Sequence, residues 1–159
     1  MNNWLSLIIA LPTANATERM RAWRALKSSG AAVLRDGVYL LPDNPACREA
    51  LEAVERDILG SNGTAFLLPI NDPQGERFIE LFDRSEDYAK LRVDIEACQA
   101  QLTSDNALTS TKQVRKLRKA FAQVAAIDFF SAVARQQTDT ALKALETAIS
   151  RALSQDEPS

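Results

Sequence analysis

The spacing of apolar residues changes along the chain in a way that predicts alternating strands and helices in its first half. An uninterrupted apolar run from Trp4 to Leu11 predicts a central strand that stops at Pro12. Thr17 then begins a helix, which we expect to end at Gly30 because glycine commonly follows a helix C-terminus. The first two predicted elements are therefore a strand and a helix.

Residues 31–41 are predicted to form two short strands joined by a tight turn. The turn is Asp36-Gly37, a pair suited to a primed hairpin because glycine tolerates positive φ. Two neighbouring strands therefore follow the first helix.

A second helix and a last strand complete this half of the chain. Asp43 or Asn44 caps the helix, and Pro45 lies near its first position. Residues 64–70 then form an apolar strand. The resulting order, βαββαβ, predicts an α+β protein whose residues 1–72 form a ferredoxin-like domain with a four-stranded antiparallel sheet.

Residues 73–159 are predicted to form a helical extension that packs on the sheet domain as part of one structural unit. Apolar residues recur at spacings of three and four from Tyr88 to Leu102, which favours either a coiled-coil-like arm or a cover for the second face of the sheet. The polar segment 103–111 should separate this helix from the next and supply a Ser or Thr cap. Asp128-Phe129-Phe130 is expected to end or kink that helix, and residues 138–153 are expected to form a last one.

The helix after this polar segment is strongly amphipathic. Its apolar positions are Val114, Leu117, Phe121, Val124 and Ala125. Lys112, Arg115, Lys116 and Lys119 project almost opposite, with Arg118 on the boundary. No acidic residue is interleaved with these cations, which favours a polyanionic partner, although a solvated helix surface remains the plain alternative.

A smaller basic ridge is predicted on the first helix. Arg21 and Arg24 project outward from it, Lys27 lies at the margin, and Arg35 on the following strand extends the set. Both basic surfaces occur in a chain whose formal charge is −2, so positive charge is segregated rather than abundant. Segregation of this kind indicates a polyanionic partner more than a catalytic cleft.

Three other side chains near this ridge are assigned to the interior. Trp23 shares its predicted face with the apolar residues of the helix, and Tyr39 lies within an apolar strand, so we expect both to be core residues rather than ligand platforms. Arg19 projects toward the apolar side, where an internal pair with an acid is expected.

Composition argues against most catalytic chemistry. The chain has 159 residues, 46% of them hydrophobic, with two cysteines and no histidine. The missing histidine excludes the Ser-His-Asp and Cys-His hydrolases, and no residue spacing indicates a metal or a phosphate-binding loop. Cys47 and Cys98 are expected to be inert helix residues, although Cys47 lies in a first helical turn whose dipole can lower a thiol pKa. We therefore predict a cytoplasmic, non-enzymatic protein without metal, cofactor or membrane partner.

Four segments in sequence order carry a family resemblance: WLSLIIALPT, ERMRAWRALKSSGAAVLRDGVYLLP, LFDRSEDYAKL and RKLRKAFAQVAAIDFF. Together they resemble the N-terminal domain of the chromate-resistance regulators of the ChrB family, over roughly residues 3 to 150. The segment LRDGVYLLP is also similar to the LRPGVW pattern of PaaX-type repressors, whose comparable region is a ferredoxin-like dimerisation module.

The resemblance implies a chromate-responsive transcriptional regulator that acts at the promoter of a chromate-efflux operon. The basic residues of ERMRAWRALK and KQVRKLRK become the expected contacts to double-stranded DNA. ChrB proteins typically continue into a second domain about as long again, so chromate sensing is expected either in this domain or in that one.

Two other classes of function stay open from the sequence. The first is a protein–protein interaction or dimerisation module, in which the basic helices only keep the surface soluble. The second is an oxyanion reductase, for which the sequence contains no flavin, nicotinamide or metal signature. We expect a homodimeric DNA-binding regulator with chromate as a candidate effector, because a dimer presents two basic surfaces at a fixed spacing.

Overall fold

The computed structural model describes residues 3–130 and 133–155, which form two compact units. The units divide between Phe82 and Asp83, whereas the sequence pattern predicted a division after residue 72. A short 3₁₀ helix, Gly75–Phe82, accounts for the difference because its aromatic side chains pack on the sheet. The expectation that the helical part packs on the sheet domain stays a prediction.

The first unit contains a four-stranded sheet in which every neighbouring pair is antiparallel. Its strands are β1 (Asn3–Ala10), β2 (Ala32–Arg35), β3 (Val38–Pro42) and β4 (Thr64–Asn71), in the order β2-β3-β1-β4. Helix α1 (Ala16–Ser28) follows β1, and helix α2 (Pro45–Gly60) follows β3. The predicted α+β class with a four-stranded antiparallel sheet is confirmed.

Local signals in the sequence set the turns and caps of this unit. Gly37 has φ +78° between β2 and β3, and its carbonyl oxygen accepts a hydrogen bond of 2.8 Å from the Ile9 amide. The Asn44 side chain caps α2 by accepting from the Cys47 amide at 2.8 Å, and Pro45 opens the helix. The predicted hairpin and the Asn44 alternative for the cap are confirmed. The turn is not of a primed type, because a primed turn needs positive φ at Asp36 and only Gly37 of this pair has it.

Trp4 joins the 3₁₀ helix to the sheet. Its ring is stacked on Phe82 with centroids 5.6 Å apart and meets Phe78 edge-on at 5.5 Å. The Trp4 and Phe82 side chains are fully buried. This aromatic cluster covers the part of the sheet that surrounds Trp4.

Another part of the same sheet face is open. Phe66 lies directly opposite Ile8, and Leu68 lies opposite Ser6, so these residues share one face with Trp4 because side chains alternate along a strand. Ile8, Phe66 and Leu68 are 38%, 59% and 45% exposed. The sheet therefore presents an apolar face formed by these three side chains, which we call the open sheet face.

The second unit consists of three helices that pack on one another: α3 (Ser85–Gln101), α4 (Ala107–Ala126) and α5 (Val133–Gln155). Its core is built from the apolar stripes that the sequence predicted. The buried members are Tyr88, Leu91, Ile95, Cys98, Val114, Phe121, Leu142, Leu145 and Ile149. Among the described helices, none has the length and apolar character that crossing a bilayer requires.

The start of α4 differs from the prediction. The helix begins at Ala107 rather than near the end of segment 103–111, and its N-cap position is Asn106 instead of a Ser or Thr. Asn106 exchanges hydrogen bonds with Thr103 and donates from its amide to the Gln101 carbonyl oxygen at 2.7 Å. These bonds close the five-residue loop 102–106, so the helix starts earlier than its polar composition indicates.

The prediction that Trp23 is a core residue is wrong. Trp23 is 43% exposed and Met20, one turn earlier, is 50% exposed, whereas Ala22 and Leu26 fill the buried side of α1. These two side chains fill the narrow buried side of this short helix, so the Trp23 indole lies at its edge. Tyr39 is buried, as predicted.

Candidate nucleic-acid interface

Helix α4 carries a continuous cationic surface in the helical unit. Its buried side is anchored by Val114 and Phe121. The exposed side carries Lys112, Arg115, Lys116 and Lys119, which we call the α4 basic face. All four side chains of this face lie in solvent, as the amphipathic pattern predicted.

The α4 basic face makes no salt bridge to any residue in the described ranges. Lys112 and Lys116 are spaced four apart, as are Arg115 and Lys119, so cations neighbour cations along the helix. Like-charge pairs at this spacing destabilise a helix by a few tenths of a kcal/mol each. A bound anion would remove this small repulsion.

Arg118, on the same helix, is held differently. Its guanidinium donates to Asp139 Oδ1 at 2.7 Å and also to Glu146 Oε1, and it lies 5.6 Å from the Phe121 ring centroid. The hydrogen bond from Arg118, with a second from Lys143, lowers the pKa of Asp139. These internal bonds give Arg118 a structural role between α4 and α5, so we leave it out of the contact set proposed below.

A second group of cations lies in the sheet unit. Arg24, Lys27 and Arg35 are exposed, and Arg21 is exposed beside Glu18, with which it forms an ion pair at 3.4 Å. Arg21, Arg24 and Lys27 on α1 are called the α1 basic ridge. Arg35 is not part of it, because its strand partner Val38 lies opposite Ile8, which puts Arg35 on the sheet face that carries Ile8. The ridge and the α4 basic face thus belong to separate units of the fold.

Arg19 does not make the internal acid pair that the sequence predicted. Its guanidinium donates instead to the Pro12 carbonyl oxygen at 3.2 Å, and the residue is exposed. The turn between β1 and α1 brings that carbonyl next to the first turn of the helix. A backbone acceptor has replaced the expected carboxylate.

The structure describes both cysteines as buried. Burial raises the pKa of the Cys47 thiol above its ordinary value, and the opposing hydrogen bond from Asn44 only partly offsets this. The helix-dipole argument for a reactive Cys47 is thereby outweighed. Cys98 donates from its sulfur to Gln113 Oε1 at 3.3 Å, beside a cavity of about 370 Å³ between α3 and α4.

Two apolar side chains on the surface of α1 are exposed although the sequence pattern did not predict it. Met20 and Trp23 lie one turn apart, and a shallow cleft beside them is lined by Met20, Arg21 and Arg24. The signal that could have found them is the position of Trp23 in the sequence between two cations, Arg21 and Arg24. Among the described residues, no three His, Cys, Asp or Glu side chains are grouped as metal ligands would be.

Comparison with known proteins agrees with this architecture. The family described as "Protein ChrB, N-terminal" matches residues 19–154. Protein ChrB of Cupriavidus metallidurans is 32% identical over 158 residues, a match that covers 98% of this chain and 49% of that protein. The chain therefore spans about half the length of this curated relative.

A solved structure also resembles the chain. It is an uncharacterized protein from Mycobacterium tuberculosis, with a TM-score of 0.56 and 14% identity, covering 96% of this chain and 62% of the other. At that identity the likeness concerns the fold alone. The family match and the curated relative, in contrast, extend over most of the sequence, and they establish that this chain belongs to the ChrB N-terminal family.

Proposed function

We propose that this chain is the DNA-binding N-terminal part of a chromate-responsive transcriptional regulator. The α4 basic face is the main contact to double-stranded DNA, and the α1 basic ridge adds further contacts from the sheet unit. The role involves no catalytic step and is exercised in the cytoplasm. Membership of the ChrB family supports the regulatory role, and the exposed cations support the choice of partner.

The contrast within α4 carries this proposal. Arg118 has two carboxylate partners, while Lys112, Arg115, Lys116 and Lys119 have none among the described residues. The chain as a whole contains 21 acidic residues and 19 Lys and Arg residues, so it has enough carboxylates to pair with every cation. Four unneutralised cations on one helix face favour a polyanion, because each phosphate they contact releases a condensed counterion.

The test is a fluorescence anisotropy titration with a labelled duplex of random sequence at low salt. Lys116→Gln/Lys119→Gln should bind at least tenfold more weakly than the unmodified chain, because two phosphate contacts are removed. Lys90→Gln/Arg151→Gln is the matched control, since it removes two exposed cations from the same unit outside α4. Equal losses in the two double variants would reject the α4 basic face as the contact surface.

The chromate response is tested separately. Chromate should weaken duplex binding, while sulfate, an oxyanion of similar shape and charge, should not. The comparison is made at constant ionic strength, because added salt alone weakens phosphate contacts. Equal effects of the two anions would indicate screening, and chromate sensing would then have to reside elsewhere in the regulator.

We also propose that the sheet unit is a ferredoxin-like module. The element order β1-α1-β2-β3-α2-β4 and the strand order β2-β3-β1-β4 support this description. The β2–β3 hairpin and the two crossovers through α1 and α2 are the features of the split pattern that the sequence predicted.

The open sheet face favours a second function, self-association into a homodimer. Ile8, Phe66 and Leu68 form an apolar surface without an intervening charge, which a second copy of the same surface can cover. Light scattering after size exclusion should give the mass of a dimer, and Phe66→Glu should give a monomer. If Phe66→Glu leaves a dimer intact, another surface forms it.

A further inference from the structure

The α1 basic ridge contains apolar side chains that phosphate contacts do not explain. Met20 and Trp23 are 50% and 43% exposed, which leaves about half of each apolar side chain in contact with water. They lie one turn apart on α1, and each has a cation four residues later, Arg24 and Lys27 respectively. The outward surface of this helix is therefore mixed, with apolar groups between cations.

The charges on this helix select the class of partner. Arg21, Arg24 and Lys27 are exposed, and Glu18 is the single acid between Ala16 and Ser28. A partner that covers this surface must be anionic at its rim and must present apolar atoms to Met20 and Trp23. A membrane surface fits less well, because the continuous apolar side of α1, formed by Ala22 and Leu26, is already buried.

Duplex DNA meets both requirements in its major groove. Phosphates line the two edges, and the methyl group of each thymine projects between them as an apolar contact. The groove is about 12 Å wide and admits a helix. The surface beside Met20, lined also by Thr17 and Arg24, is open to solvent, so the edge of a base pair can approach it.

We infer that α1 reads base pairs in the major groove, with Met20 and Trp23 contacting thymine methyl groups while Arg21, Arg24 and Lys27 hold the flanking phosphates. This inference rests on the proposed DNA-binding function and assigns a different task to each basic surface. The α4 basic face supplies affinity that does not depend on sequence. Helix α1 supplies the preference for one base composition over another.

The probe is a labelled duplex of alternating A·T pairs, compared with the same duplex carrying deoxyuridine in place of thymine. Deoxyuridine lacks only the methyl group, so the unmodified chain should bind the thymine duplex more tightly by about fourfold for each methyl group contacted. Met20→Gln and Trp23→Gln should each reduce this preference, and the double variant should bind the two duplexes equally. Leu59→Gln, which alters a 54% exposed apolar residue on α2, should keep the preference.

Tryptophan fluorescence gives a second readout that needs no variant. Trp4 is fully buried and Trp23 is exposed, so acrylamide quenching reports mainly on Trp23. Saturation with the thymine duplex should protect Trp23 from acrylamide. An unchanged accessibility would overturn the inference even if a variant at position 23 failed to fold.

The outcomes separate this inference from the function on which it rests. Salt-dependent binding with equal affinity for the thymine and deoxyuridine duplexes would overturn the role of α1 and leave the α4 basic face as the contact. Binding to neither duplex would overturn both. Protection of Trp23 by vesicles containing phosphatidylserine, but not by duplex, would identify an anionic membrane as the partner and would also reject the inference.

Discussion

The Tyr88 hydroxyl donates a hydrogen bond of 2.8 Å to Asp128 Oδ2, and both side chains are buried. Tyr88 lies in the first turn of α3, and Asp128 follows the C-terminus of α4. The bond thus fixes the end of the helix with the basic face against its neighbour. A buried carboxylate that loses its donor retains the full cost of desolvation.

Tyr88→Phe should therefore destabilise the protein by about 1–3 kcal/mol. The measurement is urea-induced unfolding followed by circular dichroism at neutral pH. The phenylalanine ring preserves the contact with Phe121, so the loss of stability measures the contribution of the hydroxyl group alone. A variant as stable as the unmodified chain would show that Asp128 finds another donor.

The same pair predicts a loss of stability at alkaline pH. Burial and the Asp128 carboxylate raise the pKa of Tyr88 above its ordinary value of 10.0. The unfolded chain releases the phenolic proton near pH 10, while the folded chain retains it, so this contribution is complete below pH 10 and decreases as the pH rises further. Tyr88→Phe should show a shallower alkaline decline, and equal slopes would contradict the assignment.

Gly37 should not tolerate a side chain. Its φ is +78°, and a Cβ atom there would lie 2.7 Å from the Ile9 carbonyl oxygen. Gly37→Ala should destabilise the protein by about 1–3 kcal/mol. Gly60→Ala is the matched control, because a Cβ at the end of α2 meets no atom within 4 Å, and alanine should be neutral or stabilising there. Equal effects at both positions in thermal unfolding would contradict the account of the hairpin.

Arg118→Gln should separate stability from DNA binding. The variant loses the ion pairs to Asp139 and Glu146, and unfolding should become easier by the small amount that partly exposed ion pairs contribute. Affinity for duplex DNA should change by less than about twofold. In the unmodified chain Arg118 is bound to carboxylates and makes no phosphate contact that the variant could lose. A loss as large as that of Lys116→Gln/Lys119→Gln would place Arg118 in the contact.

The stability difference between Arg118→Gln and the unmodified chain should also depend on pH. Asp139 has a lowered pKa, chiefly through its bond to Arg118, so this contribution is present above the ordinary pKa of 3.8 and is lost as the pH falls through the lower, folded value. The two proteins should approach equal stability in strong acid. A difference that persists there would show that the effect is packing rather than charge.

Cys47 should be slow to alkylate in the folded protein. Burial raises the pKa of its thiol, so little reactive thiolate forms near pH 7. Mass spectrometry after treatment with iodoacetamide should show modification at Cys47 much more slowly than in the urea-unfolded chain. Comparable rates would restore a redox role for this residue.

Most of the sheet unit could be predicted because its signals are local. Asp36-Gly37 specifies a tight turn through the φ of one residue, and Asn44-Pro45 specifies a helix start through one cap and one missing amide. Such features depend on a few adjacent residues. The packing of Phe82 on Trp4, in contrast, joins two segments that lie far apart in sequence, and periodicity does not encode such a contact. This contact explains why the 3₁₀ helix belongs to the sheet unit.

The candidate site shows the same division. Helical periodicity was sufficient to place Lys116 and Lys119 on the exposed side of α4. It could not show that Arg118 meets Asp139 and Glu146, which lie on another helix. Nor could it show that Trp23 is exposed, because a helical projection gives the angle of a side chain but not the width of the surface that covers it.

The salt dependence of duplex binding tests the central claim most directly. In a plot of the logarithm of the association constant against the logarithm of salt concentration, the slope for Lys116→Gln/Lys119→Gln should be shallower than that of the unmodified chain by about 1.8, which corresponds to two phosphate contacts. Lys90→Gln/Arg151→Gln should keep the unmodified slope. Binding of the unmodified chain that does not weaken as salt rises, or an unchanged slope in Lys116→Gln/Lys119→Gln, would contradict the claim that the α4 basic face binds DNA.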